Sequence, residues 1–504
     1  MDNGFSSFKE DAPKPRPKFQ PSKYQQAIFD FITNGQGSAI VEAVAGSGKT
    51  TTVVDALDLI PSNKRCIFLA FNKSIADELR SRVPSHTVAS TFHSAGLKAW
   101  GSRNRGVIVN DKKVWDIVVD ILSPSQIRDY GGYVSRLVGL AKQVGIGCIV
   151  PDNYGVWSGM ADHHDLRLDG DPLNYAEMEH EAIEMARHVL GESNKLSTRV
   201  IDYNDMIYMP ILENIALEKF DYVFIDEAQD TNNVRRELAA RMLASHGRVV
   251  AVGDSHQAIY GFTGASTNAM DLIANEFSCQ MFPLSISYRC SKAIVLKAKE
   301  FVPNIESSDT APQGSVSHIE SASMHPGSTD AILCRNTAPL VELAYELIGK
   351  GTGCRVLGSE IGKGLIDLIN KMKTTDIDAL PGKLNDYQSK EVSRLIRKEQ
   401  EGRARAVVDK VKCIDMVISH LQPDNRTING LVNQIQGMFT DNSHGMLTLS
   451  TIHKAKGLEW DRVFIYRPEL MPCPWAKQDW EQEQEKNVQY VAITRARKDL
   501  YFVS

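Results

Sequence analysis

A glycine-rich stretch near the N-terminus contains the residue types that bind phosphate. Residues 42–51 are "EAVAGSGKTT", in which an apolar strand pattern leads into a turn and a helix pattern begins at Lys49. In such a turn Gly46 and Gly48 let backbone N–H groups converge on an anion, and the helix N-terminus adds partial positive charge. Lys49 would reach the terminal phosphates of a nucleotide, and the Thr50 hydroxyl would bind Mg²⁺. The stretch therefore predicts a nucleotide-phosphate site.

The loop departs from the usual motif at its first position, where Ala43 replaces glycine. That position governs the turn out of the strand, whereas the residues nearest to phosphate are the later glycines and the lysine. We therefore predict a working site. The residues predicted to surround the phosphates are Ala45, Gly46, Ser47, Gly48, Lys49, Thr50 and Thr51.

A second motif places two carboxylates after a strand. The stretch "FDYVFIDEAQD" has the pattern of a buried strand that ends in Asp226 and Glu227. At a strand end, Asp226 can hold Mg²⁺ through its water shell, together with Thr50. Glu227 can polarise an attacking water, a role that a hydrolase needs and a kinase does not. The two motifs together predict nucleotide hydrolysis.

Composition narrows the class of protein. The chain has 504 residues, of which 42% are hydrophobic and 24% charged, as expected for a globular protein of two to four domains. Its formal charge of -5 means that any nucleic-acid contacts must be confined to a groove. The eight cysteines are scattered, which argues against a zinc or iron–sulfur site and favours a reducing compartment. Without a signal peptide or a long apolar run, we expect a cytoplasmic location, nucleoid-associated or, in a eukaryote, nuclear.

The order of strand and helix patterns indicates the architecture. Short β-rich runs alternate with helical patterns in two series, which is typical of parallel sheets covered by helices. The predicted fold class is therefore α/β, with two parallel-sheet domains that are each interrupted by a mostly helical insertion. The predicted boundaries are 1–22 for a flexible lead-in, 23–96 and 199–280 for the first domain, 97–198 for its insertion, 281–361 and 441–504 for the second domain, and 362–440 for a small second insertion.

The second insertion contains a basic segment with two interpretations. Residues 389–412, "SKEVSRLIRKEQEGRARAVVDKVK", carry many Lys and Arg at helical spacing. They form either a solvated helix face or a surface that contacts duplex DNA.

Eight short motifs in order resemble those of superfamily 1 helicases of the UvrD/Rep type. The resemblance implies two RecA-like domains with ATP and Mg²⁺ between them, and movement on single-stranded DNA in one-base, 3′-to-5′ steps. The motifs cover nearly the whole chain, with the insertions matching by position only. They are "YQQAIFDFI", "LAFNKSIADEL", "STFHSAG", "DEAQD", "VGDSHQAIYGFTGA", "LSISYRC", "TLSTIHKAKGLEWDRV" and "YVAITRARKDL".

The resemblance also implies roles around the nucleotide. Gln25, or the adjacent Gln26, would recognise adenine, and Tyr288 would stack on it. Where many relatives have a base-stacking arginine, this chain has Thr51, so one stacking face is missing. The remaining implied residues are Glu459 at the ribose, Gln257 as the sensor of the γ-phosphate, and Arg289 and Arg495 as arginines reaching the phosphates from the second domain.

Single-stranded DNA would be held by phosphate contacts and aromatic platforms. Phe262 stands where relatives often have tryptophan, and Thr263 replaces a frequent arginine. The implied DNA-binding residues are Phe71, Asn72, Thr91, His93, Tyr260, Phe262, Arg335, Asn336, Thr451 and His453.

Two alternative functions stay open at this point. One is a translocase that displaces proteins from single strands with little unwinding, because the insertion at 362–440 is short for the family. The other is a nucleic-acid binding module that uses nucleotide only as a switch. The expected partners are single-stranded DNA and single-strand/duplex junctions, while protein loading factors and the choice between DNA and RNA stay open.

Overall fold

The computed structural model describes residues 20–164, 166–168, 174–261, 268–350, 352–397, 401–439, 446–474, 476 and 478–504. Most of the predicted lead-in, at 1–22, lies outside these ranges. Within the described residues no helix is long and apolar enough to cross a membrane. All eight cysteines are free thiols.

The first lobe is built on a six-stranded parallel sheet whose strands lie in the order β3 (Thr87–Thr91), β2 (Cys66–Ala70), β6 (Phe220–Ile225), β7 (Leu243–Gly253), β1 (Ala39–Ala43) and β8 (Gln280–Leu284). Its central strands are mostly apolar, and every residue of β2 is buried. The elements before the insertion are α1 (Lys23–Asn34), β1 (Ala39–Ala43), α2 (Lys49–Asp58), β2 (Cys66–Ala70), α3 (Lys73–Arg80), β3 (Thr87–Thr91) and α4 (Phe92–Arg103).

After the insertion the chain returns to complete the first sheet. The strand at its far edge pairs with β1, from Ala39 opposite Gln280 to Ala43 opposite Leu284. The strands of this lobe therefore extend past the predicted boundary at 280. The returning elements, which follow two short strands and five helices of the insertion, are α10 (Asp205–Leu212), β6 (Phe220–Ile225), α11 (Asn233–Met242), β7 (Leu243–Gly253), α12 (Ala269–Glu276) and β8 (Gln280–Leu284).

The first insertion is mostly helical, as the sequence predicted. A two-stranded ribbon pairs its entry with its exit, Ile108 opposite Val200. Its elements are β4 (Ile108–Val109), α5 (Lys113–Ile121), α6 (Pro124–Gln126), α7 (Gly132–Val144), α8 (Tyr154–His163), α9 (Tyr175–Leu196) and β5 (Val200–Ile201), with a π-helical turn at Ile127–Gly131.

Buried charges attach this insertion to the first lobe. Lys113 on α5 and Lys142 on α7 both reach Asp205 at the start of α10, each at 2.7 Å, and Lys142 also binds Asp202 at 2.6 Å. All four side chains are almost completely buried. Because the loss of one partner would leave an uncompensated buried charge, the network fixes how the insertion sits on the lobe.

The second lobe repeats the architecture with a six-stranded parallel sheet whose strands lie in the order β11 (Ser315–Ile319), β16 (Ala496–Val503), β15 (Trp460–Tyr466), β12 (Ala331–Cys334), β14 (Leu447–Thr451) and β13 (Cys354–Val356). Two parallel sheets with helical insertions confirm the predicted α/β class and the two RecA-like domains. The elements are β9 (Ile286–Ser287), α13 (Lys292–Ala298), β10 (Glu306–Ser307), β11 (Ser315–Ile319), β12 (Ala331–Cys334), α14 (Ala338–Gly349) and β13 (Cys354–Val356), and, after the second insertion, β14 (Leu447–Thr451), α19 (Ile452–Ala455), β15 (Trp460–Tyr466), α20 (Asp479–Ile493) and β16 (Ala496–Val503).

The second insertion packs its helices onto the second lobe. It comprises α15 (Ser359–Lys371), α16 (Leu380–Arg397), α17 (Glu401–Ser419) and α18 (Ile428–Met438). Asp409 of α17 accepts the backbone N–H groups of Thr337 and Ala338, both at 3.0 Å, and so caps α14. This contact fixes the basic helix α17 above the loop that follows β12.

Candidate nucleotide site and nucleic-acid groove

Three neighbouring strands of the first sheet bring the nucleotide motifs together. β6, β7 and β1 are adjacent, and the carboxyl ends of parallel strands lie at the same edge of a sheet. The phosphate loop follows β1, Asp226 follows β6, and Asp254 follows β7. Residues separated by about two hundred positions in the chain therefore meet at one edge.

The glycine loop is also where the two lobes touch. Gly46 and Gly48 have φ angles of 73° and 78°, a left-handed conformation that glycine adopts without steric cost. A Cβ at Gly46 would lie 2.3 Å from the Cβ of Arg289 in the second lobe. The N–H of Tyr288 donates to the Gly46 carbonyl at 2.9 Å, and the N–H of Ala45 donates to the Tyr490 hydroxyl at 3.0 Å.

Lys49 and the two carboxylates form an electrostatic cluster in which Asp226 is buried and the other two side chains are partly buried. The Nζ of Lys49 lies 3.5 Å from Oε2 of Glu227. Burial opposes ionisation of Glu227, but Lys49 and Lys456 outweigh it and hold the pKa of Glu227 below its ordinary value. Burial and the neighbouring Glu227 charge raise the pKa of Asp226. Burial lowers the pKa of Lys49, but Glu227, Asp254 and Asp226 together raise it. The cluster thus keeps Glu227 ionised beside a cation.

Two arginines of the second lobe lie at the same cluster. Arg495 is buried, and its Nη2 lies 3.4 Å from Oε1 of Gln257. Burial and the nearby Arg289 lower the pKa of Arg495 to about 10. The Nε of Arg289 forms an ion pair with Glu459, whose other oxygen lies 3.6 Å from Arg497. Both arginines line the cavity that the phosphate loop also lines.

One cavity of about 390 Å³ is lined by both lobes. It gathers most of the residues predicted to act on the nucleotide: Gly46, Ser47, Gly48, Lys49, Thr50, Thr51, Asp226, Glu227, Gln257, Arg289 and Arg495. The hydroxyl oxygen of Ser47 is buried and has no hydrogen-bond partner within the described chain. An oxyanion bound in the loop would supply that partner.

The predicted adenine-binding residues lie beside this cavity and do not line it. Gln25 is buried; its Nε2 donates to Thr52 at 2.9 Å, and its Oε1 accepts the N–H of Ser22 at 3.0 Å. The alternative residue, Gln26, is exposed and bonds to Asp30 on its own helix. The Tyr288 side chain is 47% exposed. Gln25 thus supports the helix behind the phosphate loop, while Tyr288 presents a ring to solvent.

Sequence reasoning missed a lysine that joins the lobes. Lys456 of the second lobe donates to Asp230 and to the Gln257 carbonyl, both at 2.7 Å, and its Nζ lies 4.7 Å from the centre of the Tyr260 ring. Burial raises the pKa of Asp230 to about 6, although the charge of Lys456 opposes the rise. Lys456 is part of the quoted stretch "TLSTIHKAKGLEWDRV", but its partners could not be found without knowing how the lobes dock.

Aromatic residues of the first lobe form a stack beside the nucleotide cavity. The rings of Phe71 and Tyr260 are nearly parallel, at 5°, with centroids 6.3 Å apart. Arg235, which the sequence did not single out, lies 5.1 Å from the Phe71 ring centre. These residues and His93 line a separate cavity of about 140 Å³. Burial and the Arg235 charge lower the pKa of His93 to about 4, which keeps it neutral.

The other predicted DNA contacts occupy a second, larger groove. Arg335, Asn336, Thr451 and His453 line a groove of about 620 Å³ where the second lobe meets both insertions. Arg335 forms an ion pair with Glu485 at 2.6 Å. Burial, Arg335 and Lys456 lower the pKa of His453 to about 3.

Three predicted DNA residues begin helices. Thr91, Asn72 and Thr451 cap α4, α3 and α19 by accepting the N–H groups of Ser94, Ile75 and Lys454 at 3.1, 2.9 and 3.4 Å. Asn72 also lines the nucleotide cavity. Phe262 and Thr263 lie outside the described residues.

Family models match the chain in three segments. The model described as UvrD/REP helicase N-terminal domain matches residues 168–278, and the UvrD-like helicase C-terminal domain matches residues 383–504. A model described as AAA domain matches residues 21–120, which include the phosphate loop. The matched segments thus include parts of both lobes.

Individual relatives carry related names. A probable DNA helicase II homolog of Mycoplasma pneumoniae is 23% identical over 96% of this chain and 84% of its own length. F-box DNA helicase protein 1 of Schizosaccharomyces pombe is 24% identical over 94% of this chain and 56% of its length. ATP-dependent DNA helicase Rep of Escherichia coli is 24% identical over 56% of this chain and 43% of its length. The matched UvrD-like helicase domains and the names of these relatives, together with the two parallel-sheet lobes, support the assignment of this chain as a UvrD/Rep-like superfamily 1 DNA helicase.

Proposed function

We propose that this protein uses ATP hydrolysis to move 3′ to 5′ along single-stranded DNA and to separate duplexes at single-strand/duplex junctions. The observation that supports it best is the shared cavity, in which Arg289 and Arg495 of one lobe face Lys49 and Glu227 of the other. A site divided in this way couples the state of the nucleotide to the distance between the lobes. The 3′-to-5′ direction is proposed from the family alone.

In the proposed reaction Lys49 and the two arginines act on the phosphates, and Glu227 acts on the attacking water. Lys49 and the loop amides hold the phosphates, while Glu227, ionised and fixed by Lys49, polarises the attacking water. Arg289 and Arg495 neutralise the charge that develops on the transferring group, as the planar guanidinium is suited to do.

A magnesium ion fits the donor set of this site. Asp226 and Thr50 both line the cavity and offer the hard oxygen ligands that Mg²⁺ prefers, with the remaining ligands coming from phosphate and water. Burial and the Glu227 charge raise the pKa of Asp226, so a cation bound beside it would stabilise its charged form. When bound there, the ion would neutralise charge on the β- and γ-phosphates.

We propose that closure is transmitted to DNA through the aromatic stack. Lys456 contacts Tyr260 and Asp230 at once, so a movement of the second lobe displaces the stack of Tyr260 and Phe71. DNA bases held there would shift with each cycle.

The test is an ATPase assay with and without single-stranded DNA, followed by unwinding of 3′-tailed, 5′-tailed and blunt duplexes. We expect DNA-stimulated hydrolysis, unwinding of the 3′-tailed duplex only, and no turnover by Lys49→Ala. An ATPase rate that is the same with and without single-stranded DNA would contradict the proposed motor function. Stimulated hydrolysis without unwinding, but with displacement of a bound protein, would instead support the single-strand translocase.

A further inference from the structure

The larger groove contains an aromatic side chain that no motif assigns. Trp480, the second residue of α20, lines it together with His453 and Lys454. The indole N–H donates to Oε1 of Gln478 at 2.5 Å, so the only polar atom of the ring is bonded at its own helix end. The side chain is only half-buried. The ring therefore offers a flat apolar surface in a groove that charged side chains also line.

Trp480 lies where three parts of the molecule meet. A Cβ built on Gly261 of the first lobe would come within 3.2 Å of its Cζ3. The ring of His163, from the first insertion, has its centroid 5.7 Å away. The neighbouring Gln478 donates to the carbonyl of Asp162 at 3.5 Å. A movement between the lobes would therefore change the surroundings of this ring.

The charges of the groove favour a polyanion. Its carboxylates already have partners: Glu485 pairs with Arg335, and Glu481 accepts the N–H of Gln478 at 3.1 Å. Asp409 caps α14. Basic side chains reach the groove from every side, with Arg136 from the first insertion, Arg405 from the second, and Lys454 from the second lobe.

We propose that Trp480 is a stacking platform for a base of single-stranded DNA in this groove. The inference rests on the proposed motor function and adds a contact to it. Strand-binding grooves combine backbone-tracking cations with aromatic rings, because every base has a face that can stack. Here Arg136, Arg405 and Lys454 supply the cations and Trp480 the ring.

The experiment measures binding of the oligonucleotide (dT)16 to the full chain by intrinsic tryptophan fluorescence and by anisotropy of a labelled strand. The variants are Trp480→Phe and Trp480→Ala, with Trp115→Phe and Trp115→Ala as controls, because Trp115 is exposed and packs near Gly131, outside this groove. We expect Trp480→Ala to weaken binding about fivefold or more, and Trp480→Phe to keep most of the affinity. We also expect Trp480→Phe to lose much of the DNA-induced fluorescence change, while both Trp115 variants keep it.

The outcomes separate this inference from the motor itself. One outcome would refute the stacking role of Trp480 and leave the proposed motor function unaffected. In it the wild type binds (dT)16, Trp480→Ala binds as tightly as Trp115→Ala, and Trp480→Phe keeps the DNA-induced fluorescence change. If the wild type does not bind (dT)16, both proposals fail. Should Trp480→Ala fail to fold, as judged by its thermal midpoint, the fluorescence of Trp480→Phe decides.

Discussion

Glu227 shows how the surroundings of one residue prepare it for chemistry. Its backbone is left-handed, with φ at 48°, and its carboxylate is held by Lys49 and by the side-chain amide of Gln229. Strain of this kind persists only where neighbouring groups fix the conformation. The lowered pKa means that the group is ionised at neutral pH and can polarise water.

Glu227→Gln should therefore separate binding from hydrolysis. The amide keeps the size of the side chain but removes the charge, so we expect ATP to bind while kcat falls by about 10²- to 10⁴-fold. The measurements are nucleotide binding by a fluorescent analogue and steady-state ATPase with single-stranded DNA. Glu218→Gln is the control, since Glu218 pairs with Arg65 and Lys98 away from the cavity. Hydrolysis at the wild-type rate by Glu227→Gln would show that another group activates the water.

The phosphate loop requires glycine at position 46 for two reasons. The backbone there has a positive φ, and Arg289 of the opposite lobe approaches it closely. Gly46 and Gly37 both have positive φ, at 73° and 77°. A Cβ at Gly46 would collide with Arg289, whereas a Cβ at Gly37 has nothing within 4 Å. A substitution at either position carries the same backbone strain, but only one of them disturbs the site.

We expect Gly46→Ala to lower the ATPase rate by about 100-fold, the scale associated with a displacement of about 1 Å in a catalytic group. Gly37→Ala should cost only about 1 to 2 kcal/mol of stability and leave turnover intact. Urea unfolding and ATPase assays on both variants make the comparison. Equal losses of turnover in the two would mean that backbone strain alone is responsible and that the approach of Arg289 is unimportant.

The elements also show what the sequence could and could not predict. The mostly apolar runs before residues 44 and 226 predicted strands β1 and β6, after which the phosphate loop and Asp226 follow, because such a pattern is local. The predicted domain boundary at residue 280 cut through the edge strand β8. This strand contains Pro283 and alternates buried with exposed residues, as edge strands do, so it lacks the continuous apolar pattern that predicts a strand. Lys456 and Trp480 were missed because their partners are brought close only when the lobes and insertions dock.

At the scale of the whole molecule, the lobes are joined through the site itself. The N–H of Tyr288, the hydroxyl of Tyr490 and the Nζ of Lys456 each bond to a group of the first lobe. Two of these bonds are made to the phosphate loop. Anything that occupies the loop therefore acts on the interface between the lobes, which is the physical basis for a motor.

The same interface contains a histidine that should make the protein sensitive to acid. His453 is partly buried, and its desolvation together with Arg335 and Lys456 lowers its pKa to about 3, against about 6.5 when unfolded. Between pH 3 and pH 6.5 the imidazole of His453 is protonated in the unfolded chain and neutral in the folded chain. The contribution of His453 to stability is thus complete above pH 6.5 and is lost progressively as the pH falls, by about 2 kcal/mol at pH 5.

We expect His453→Asn to lose less stability than the wild type between pH 7.5 and 5, measured by urea unfolding without nucleotide or DNA. His246→Asn, at an exposed histidine, controls for the substitution itself. Parallel losses in the wild type and His453→Asn would place the acid sensitivity elsewhere in the molecule.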